Sequence, residues 1–280
     1  MDRAARPRPP VFRALGNKDP HETLVVDGDT YTRQDIYKHD SWAATARYRC
    51  GSREIVCKLN RTQSIGLLPM KWLGRFLARR ESFAYEQLQG LSGIAPMCRV
   101  IKHENTTLPH AAGHDFIAGH PLQEREAVKD HFFPQLLNLL REVHSRGFAY
   151  VDLHKRENIL VSDLGEPYLI DFQISFYSPQ SWLAKLTGRT ILLHLLQQSD
   201  LYHLTKHILR IRPDQIELLG LKSYAEKPWW IRAHRKVAVP FRQTRRWLLS
   251  KIGVRGKSGR SSSEVFAEHA FREENNKKAA

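Results

Sequence analysis

The stretch FAYVDLHKRENILVSDLGEPYLIDF, residues 148–172, decides the reading of the chain. It contains two strand-like pieces, NILVS (158–162) and PYLIDF (167–172), joined across the turn-forming Asp163-Leu164-Gly165-Glu166. Asp152 precedes a polar loop, and Asp171 ends the second apolar piece nineteen positions later. A hairpin of short strands brings both carboxylates to one end, with Asn158 at the start of the first strand. Hard divalent cations take oxygen ligands, so Asp171 and Asn158 are the candidate magnesium pair. Asp152 is left to orient a substrate hydroxyl and accept its proton. Taken singly, each of these residues reads as a turn or cap; their grouping carries the signal.

Working outward, residues 22–59 show short strands: ETLVVDG, DTYTRQDIYK, WAATARYRC and REIVCKL. Turn residues separate them at Asp27-Gly28-Asp29 and Gly51-Ser52, predicting a small antiparallel sheet with Lys58 at a strand end. Residues 69–90 read as a helix, with Trp72, Phe76, Phe83 and Leu88 at helical spacing and Arg75, Arg79 and Arg80 between them. IAPMCRVIK and HDFIAG, within 94–118, are the next strand candidates, and Gly119-His120-Pro121 breaks the pattern as a connector. Residues 123–146 read as a buried helix interrupted at Pro134, and 189–210 as a leucine-rich helix. His110, His114, Asp115 and His120 are the only histidine-rich cluster, but their spacing dictates no fourth zinc ligand. His144 and His154, on either side of Asp152, read as packing groups that bond loop carbonyls.

These elements together resemble the protein-kinase-like superfamily over about residues 30–210. Tyr150-Val151-Asp152 looks like its catalytic-loop triplet, Asn158 like its metal-binding asparagine, and Asp171-Phe172-Gln173 like its Asp-Phe-Gly motif. Ile55-Val56-Cys57-Lys58 resembles the strand bearing the phosphate-binding lysine, with Glu81 as its acidic partner and Glu86 in reserve. DFIAGHPL (115–122) resembles the interlobe hinge, and Asp200 an anchoring aspartate beneath the catalytic loop. The resemblance implies an α+β, two-lobed fold with a small β-rich N-lobe and a reduced helical C-lobe. ATP and magnesium are the implied cofactors, with transfer of the γ-phosphoryl group to a hydroxyl. Lys155 becomes a candidate for balancing charge beside Asp152. No G-x-G-x-x-G loop occurs near 36–46, so Lys38 and Ser41 are the substitutes expected to help cradle phosphates. The pattern is most similar to lipopolysaccharide core kinases acting on heptose or Kdo sugars, and to RIO-type kinases. A RIO-like protein kinase or ATPase switch, and a pseudokinase acting as a binding or assembly module, are the alternatives.

Of the 280 residues, 41% are hydrophobic, with six Trp and twelve Phe, which excludes wholesale disorder. A formal charge of +15 favours anionic partners such as phosphorylated metabolites, acidic lipid or nucleic acid. Nucleic acid is the less economical partner because it leaves the carboxylates unexplained. Three cysteines are too few for a disulfide scaffold, and MDRAARPRPP lacks the apolar run of a secretory signal. The expected location is cytoplasmic, with peripheral contact at the inner face of the cytoplasmic membrane. Residues 223–260 hold eleven Lys and Arg against Glu226, with Trp247 among them, a candidate surface for anionic lipid. The expected organisation is a flexible arm over 1–20, an N-lobe over 21–119, a C-lobe over 120–253 and a disordered tail over 254–280.

Overall fold

A computed structural model of the chain describes residues 9–179 and 181–226. The basic stretch from 227 onward, Trp247 included, and the tail over 254–280 lie outside the described residues. The chain is mixed α+β and divides into two compact units, one of residues 9–82 and 98–116, the other of 83–97 and 117–226.

The first unit is built on a seven-stranded antiparallel sheet. Its strands are β1 (Thr23–Val26), β2 (Asp29–His39), β3 (Ala43–Cys50), β4 (Arg53–Asn60), β5 (Ile101–His103), β6 (Thr106–Thr107) and β7 (Ala111–Asp115). Their spatial order is β6-β5-β1-β2-β3-β4-β7. The four strands expected over 22–59 are present, and the Asp27-Gly28 turn between β1 and β2 places both residues at positive φ, the conformation a two-residue hairpin demands. Along β4 the side chains of Ile55, Cys57 and Leu59 are buried against Leu24, Tyr31 and Tyr48. Period-two alternation therefore puts Lys58 on the opposite face. Burial raises the Cys57 thiol well above its usual range and Cys98 to about 12, so both behave as apolar packing groups.

Two expectations need correction here. IAPMCRVIK is not a strand over its length, and only Ile101–His103 joins the sheet. Pro96 has no donor to offer a ladder, and the Asp27 carboxylate accepts the backbone N–H groups of Arg99 and Val100 instead. The arm read as flexible over 1–20 is held from residue 9 onward. Ala14 is fully buried; its N–H donates to Asp40 O (2.7 Å), and its carbonyl accepts from Thr62 and Gln63. Buried Arg61 fixes the same region, donating to Ser41 O and Val11 O, each at 2.7 Å. Helix α1 (Lys71–Leu88) approaches this arginine so closely that a Cβ on Gly74 would overlap the Arg61 carbonyl oxygen.

In the second unit, α2 (Phe132–Ser145) buries Phe132, Phe133, Leu136, Leu137, Leu139, Leu140 and Val143. The helix begins at Phe132 and not near 123, which leaves Pro134 in its first turn, where a missing N–H costs nothing. Strands β8 (Gly119–Pro121), β10 (Ile159–Ser162) and β11 (Pro167–Leu169) form a three-stranded sheet in the order β11-β10-β8, and β9 (Phe148–Ala149) pairs with β12 (Phe176–Tyr177). Gly119-His120-Pro121, read as a connector, is thus a strand; Gly119 permits the approach because a Cβ would strike the Val161 carbonyl. Short α3 (Trp182–Leu186), long α4 (Arg189–Ile211) and short α5 (Gln215–Leu218) complete the unit. Among the described residues no helix is long and apolar enough to cross a membrane.

Gly74→Ala reverses the usual helix preference. Alanine favours a helix by about 1 kcal/mol over glycine, but overlap with the Arg61 carbonyl is expected to cost about 1–3 kcal/mol net. Urea unfolding checks the sign. Acid provides a second test. Burial lowers His39 and His110 from 6.5 to about 4, so both are neutral in the fold and take up protons on unfolding below 6.5. Their contribution is present above pH 6.5 and is lost as pH falls towards 4. Replacing both with Gln is expected to flatten the fall in urea midpoint across that window.

Candidate active site

Each unit carries one group of candidate residues. In the first, Gly74, Ala78 and Glu81 lie on the buried stripe of α1, which continues through Tyr85 and Leu88 in the second, so Glu81 is a carboxylate in an otherwise largely apolar line. Its Oε2 lies 3.3 Å and its Oε1 3.4 Å from Lys58 Nζ. Both side chains are largely buried, and a buried charge without its counter-ion is costly, so each requires the other. The reserve partner Glu86 is exposed. Lys38 and Ser41, the expected phosphate cradle, both have partners within the fold. Lys38 pairs with Asp40 at 2.7 Å, and the Ser41 hydroxyl donates to Phe12 O at 2.9 Å. Asp40 organises the β2–β3 turn by accepting the N–H groups of Trp42 and Ala43. Burial opposes its ionisation, yet Lys38 and these amides hold its carboxyl below the usual range.

In the second unit, Asp152 leaves β9 through Tyr150 and Val151. Val151 has φ 72° and Asp171 φ 60°, two non-glycine residues in the left-handed region at the two motif positions. A β-branched residue held there is strained, and such strain clusters at functional sites. Asp152 is almost wholly buried. Its Oδ2 accepts from Lys155 Nζ (2.7 Å) and Asn158 Nδ2 (3.0 Å). Its Oδ1 receives no hydrogen bond, although His154 Nδ1 stands 3.2 Å away. With the Asn158 amide nitrogen turned to Asp152, its oxygen is the atom left for a hard cation.

The hairpin joins the motifs as expected. Ile159 lies opposite Leu169, and Ile170 N–H donates to Asn158 O at 3.1 Å, so the backbone beside Asp171 is fixed to Asn158. Tyr150 adds a tie that the sequence did not announce: its buried hydroxyl donates to the Ile170 carbonyl, one residue before Asp171. Burial, and then the charges of Asp171 and Asp152, push this phenol well above its usual range, so it stays a donor. Phe172 packs edge-on against both Tyr150 and Tyr85.

Helix α4 supports the loop from one face. The Asp200 carboxylate is fully buried and accepts Tyr150 N–H at 2.7 Å, Val151 N–H at 2.8 Å and His144 Nε2 at 3.1 Å. His144 therefore bonds this carboxylate, where a loop carbonyl was expected. Gln197 Nε2 donates to Phe148 O at 2.9 Å, and His207 Nε2 bonds Leu153 O at 2.7 Å. Gln197 and His207 escaped the sequence reading. Their signal is spacing: Gln197, Asp200 and His207 fall with Leu204 on one stripe of a leucine-rich helix, polar groups where leucine would suit packing. Among the described residues no cluster of three His, Cys, Asp or Glu side chains is placed to hold a metal, the 110–120 histidines included.

No family profile of known proteins matches the chain, and no curated protein matches it significantly.

Asp200→Ala leaves the Tyr150 and Val151 amides without their acceptor. Unfolding free energy is expected to fall by about 3 kcal/mol, since each buried orphan donor costs about 1–3 kcal/mol. Asp200→Asn, which keeps an acceptor oxygen, is expected to lose less. Denaturant titration of the three proteins checks the order.

Proposed function

We propose that the chain is an ATP- and magnesium-dependent phosphotransferase of two-lobed, protein-kinase-like fold, transferring the γ-phosphoryl group to a hydroxyl. The acceptor in this reading is a sugar of a lipopolysaccharide-type core, met at the cytoplasmic side of the membrane. One observation carries the reaction class: Asp152, on a loop held in a strained conformation, has one oxygen engaged by Lys155 and Asn158 and the other buried with no hydrogen bond, 3.2 Å from His154 Nδ1. A held carboxylate with an unfilled oxygen supports the reading that Asp152 orients a hydroxyl and accepts its proton as transfer proceeds.

The remaining roles follow from charge and position. Lys58, steadied by Glu81, would contact the α and β phosphates. Asp171 and the Asn158 amide oxygen would hold magnesium, which neutralises charge on the transferring phosphates. Lys155, already paired with Asp152, supplies positive charge where the acceptor oxygen would lose its proton. Catalysis by such a set is alignment plus electrostatics, so loss of Asp171 should lower turnover without unfolding the chain.

A binding module without transfer is the second reading. The β2–β3 turn favours it, because Asp40 occupies the turn, and Ser41 and Lys38 are engaged within the fold. Labelled ATP offered with a lipopolysaccharide fraction, mixed proteins or water alone separates the readings. Magnesium-dependent transfer to the glycolipid is expected, falling by about 10²-fold or more in Asp171→Asn and Lys58→Met and less in Glu81→Gln. Thermal unfolding of the apo variants should stay close to wild type for Asp171→Asn. Nucleotide binding with no transfer to any acceptor would establish the second reading. Undiminished turnover in Asp171→Asn would remove the metal assignment.

A further inference from the structure

The residues before and along the first turns of α1 are more apolar on the outside than the fold requires. Ile65 and Leu68 close a tight turn by bonding N–H to carbonyl in both directions, at 3.1 and 3.0 Å, with Gly66 at φ 57° inside it. The turn thrusts Leu67 outward, wholly exposed, and leaves Leu68 more than half exposed. One helical turn further on, Trp72 is more than half exposed and Phe76 nearly so, four residues apart on the same side of the helix. The opposite stripe, Gly74, Ala78 and Glu81, is already buried. These outward side chains thus contribute nothing to α1's own packing. Contiguous exposed apolar groups of this kind mark an interaction surface.

Charge selects the partner. Residues 61–80 contain five basic residues and no acidic one. Lys71, Arg75 and Arg79 are exposed beside Trp72 and Phe76, and Glu81, the first carboxylate encountered, is buried with Lys58. A protruding apolar tip rimmed by cations suits shallow insertion among acyl chains, with the basic groups at the level of anionic headgroups. The aromatic Trp72 suits the boundary between the two, being apolar in body with one polar N–H.

We propose that the 65–68 turn and the outer face of α1 form a docking surface for an anionic phospholipid bilayer, with Leu67 and Trp72 as the inserted anchors. The surface belongs to one unit of the chain and does not depend on phosphoryl transfer. Its test is therefore separate from any activity assay.

Full-length protein is sedimented with vesicles of phosphatidylcholine alone and of phosphatidylcholine mixed with phosphatidylglycerol, with urea midpoints confirming that every variant is folded. Binding is expected to the mixed vesicles only, and added salt should weaken it by screening the exposed cations. Leu67→Ser with Trp72→Ala is expected to raise the lipid concentration for half-binding about tenfold or more. Arg75→Glu with Arg79→Glu should do the same. Trp72→Phe keeps an apolar anchor, so it should still bind while losing part of the blue shift in tryptophan emission that vesicles induce in the wild type. Equal binding to neutral vesicles, undiminished binding by both double variants, or an unchanged blue shift in Trp72→Phe would each overturn the proposal. So would self-association of the wild type that the Leu67→Ser change abolishes without any vesicle binding.

Discussion

Much of the second unit depends on one buried carboxylate. Asp200 has no access to water, and burial raises its carboxyl above the usual range even though His144 and the two backbone amides pull the other way. A charge in that position survives only if its lone pairs are filled. Tyr150 and Val151 supply two amide donors on successive residues, which requires the chain to turn sharply between them and Asp152. The left-handed Val151 is the local consequence, and its strain is offset by charge-assisted bonds that no relaxed conformation would keep. Asp152 is thereby aimed by a residue 48 positions further along the chain.

The same logic repeats at smaller scale. Tyr150 is held by its amide to α4 and by its hydroxyl to the carbonyl before Asp171, so one side chain couples the Asp152 loop to the β11 end. In the first unit, Lys58 and Glu81 each resolve the other's burial, and the two are separated by 23 residues of sequence. Glu81 on α1 and Gln197, Asp200 and His207 on α4 are polar residues of a long helix lent to positions defined by a strand or loop. Such residues are expensive in packing terms, and their presence in place of leucine is what a site demands.

How much of this was legible varied with the type of signal. The four strands over 22–59 stood out because Asp27-Gly28 and Gly51-Ser52 punctuate them, and the β10–β11 hairpin because its turn is equally plain. Asp152, Asn158 and Asp171 were legible as a group since a hairpin had to bring them together. Glu81 stood ahead of Glu86 by resemblance alone, and burial on α1 separates the two. The misreadings share a cause: backbone amides and carbonyls bonded to side chains distant in sequence. Asp27 captures the amides of Arg99 and Val100 and shortens a predicted strand, while Arg61 captures Val11 and converts an apparent arm into packed structure. Periodicity within a window of residues cannot reveal such long-range partners.

The central claim is that Asp152 acts on the acceptor, separate from nucleotide binding. Single-turnover transfer from labelled ATP, measured beside nucleotide affinity in Asp152→Asn, tests it most directly. Nucleotide affinity is expected within about threefold of wild type, with the transfer step slowed by about 10²-fold or more. Transfer at the wild-type rate in that variant would contradict it.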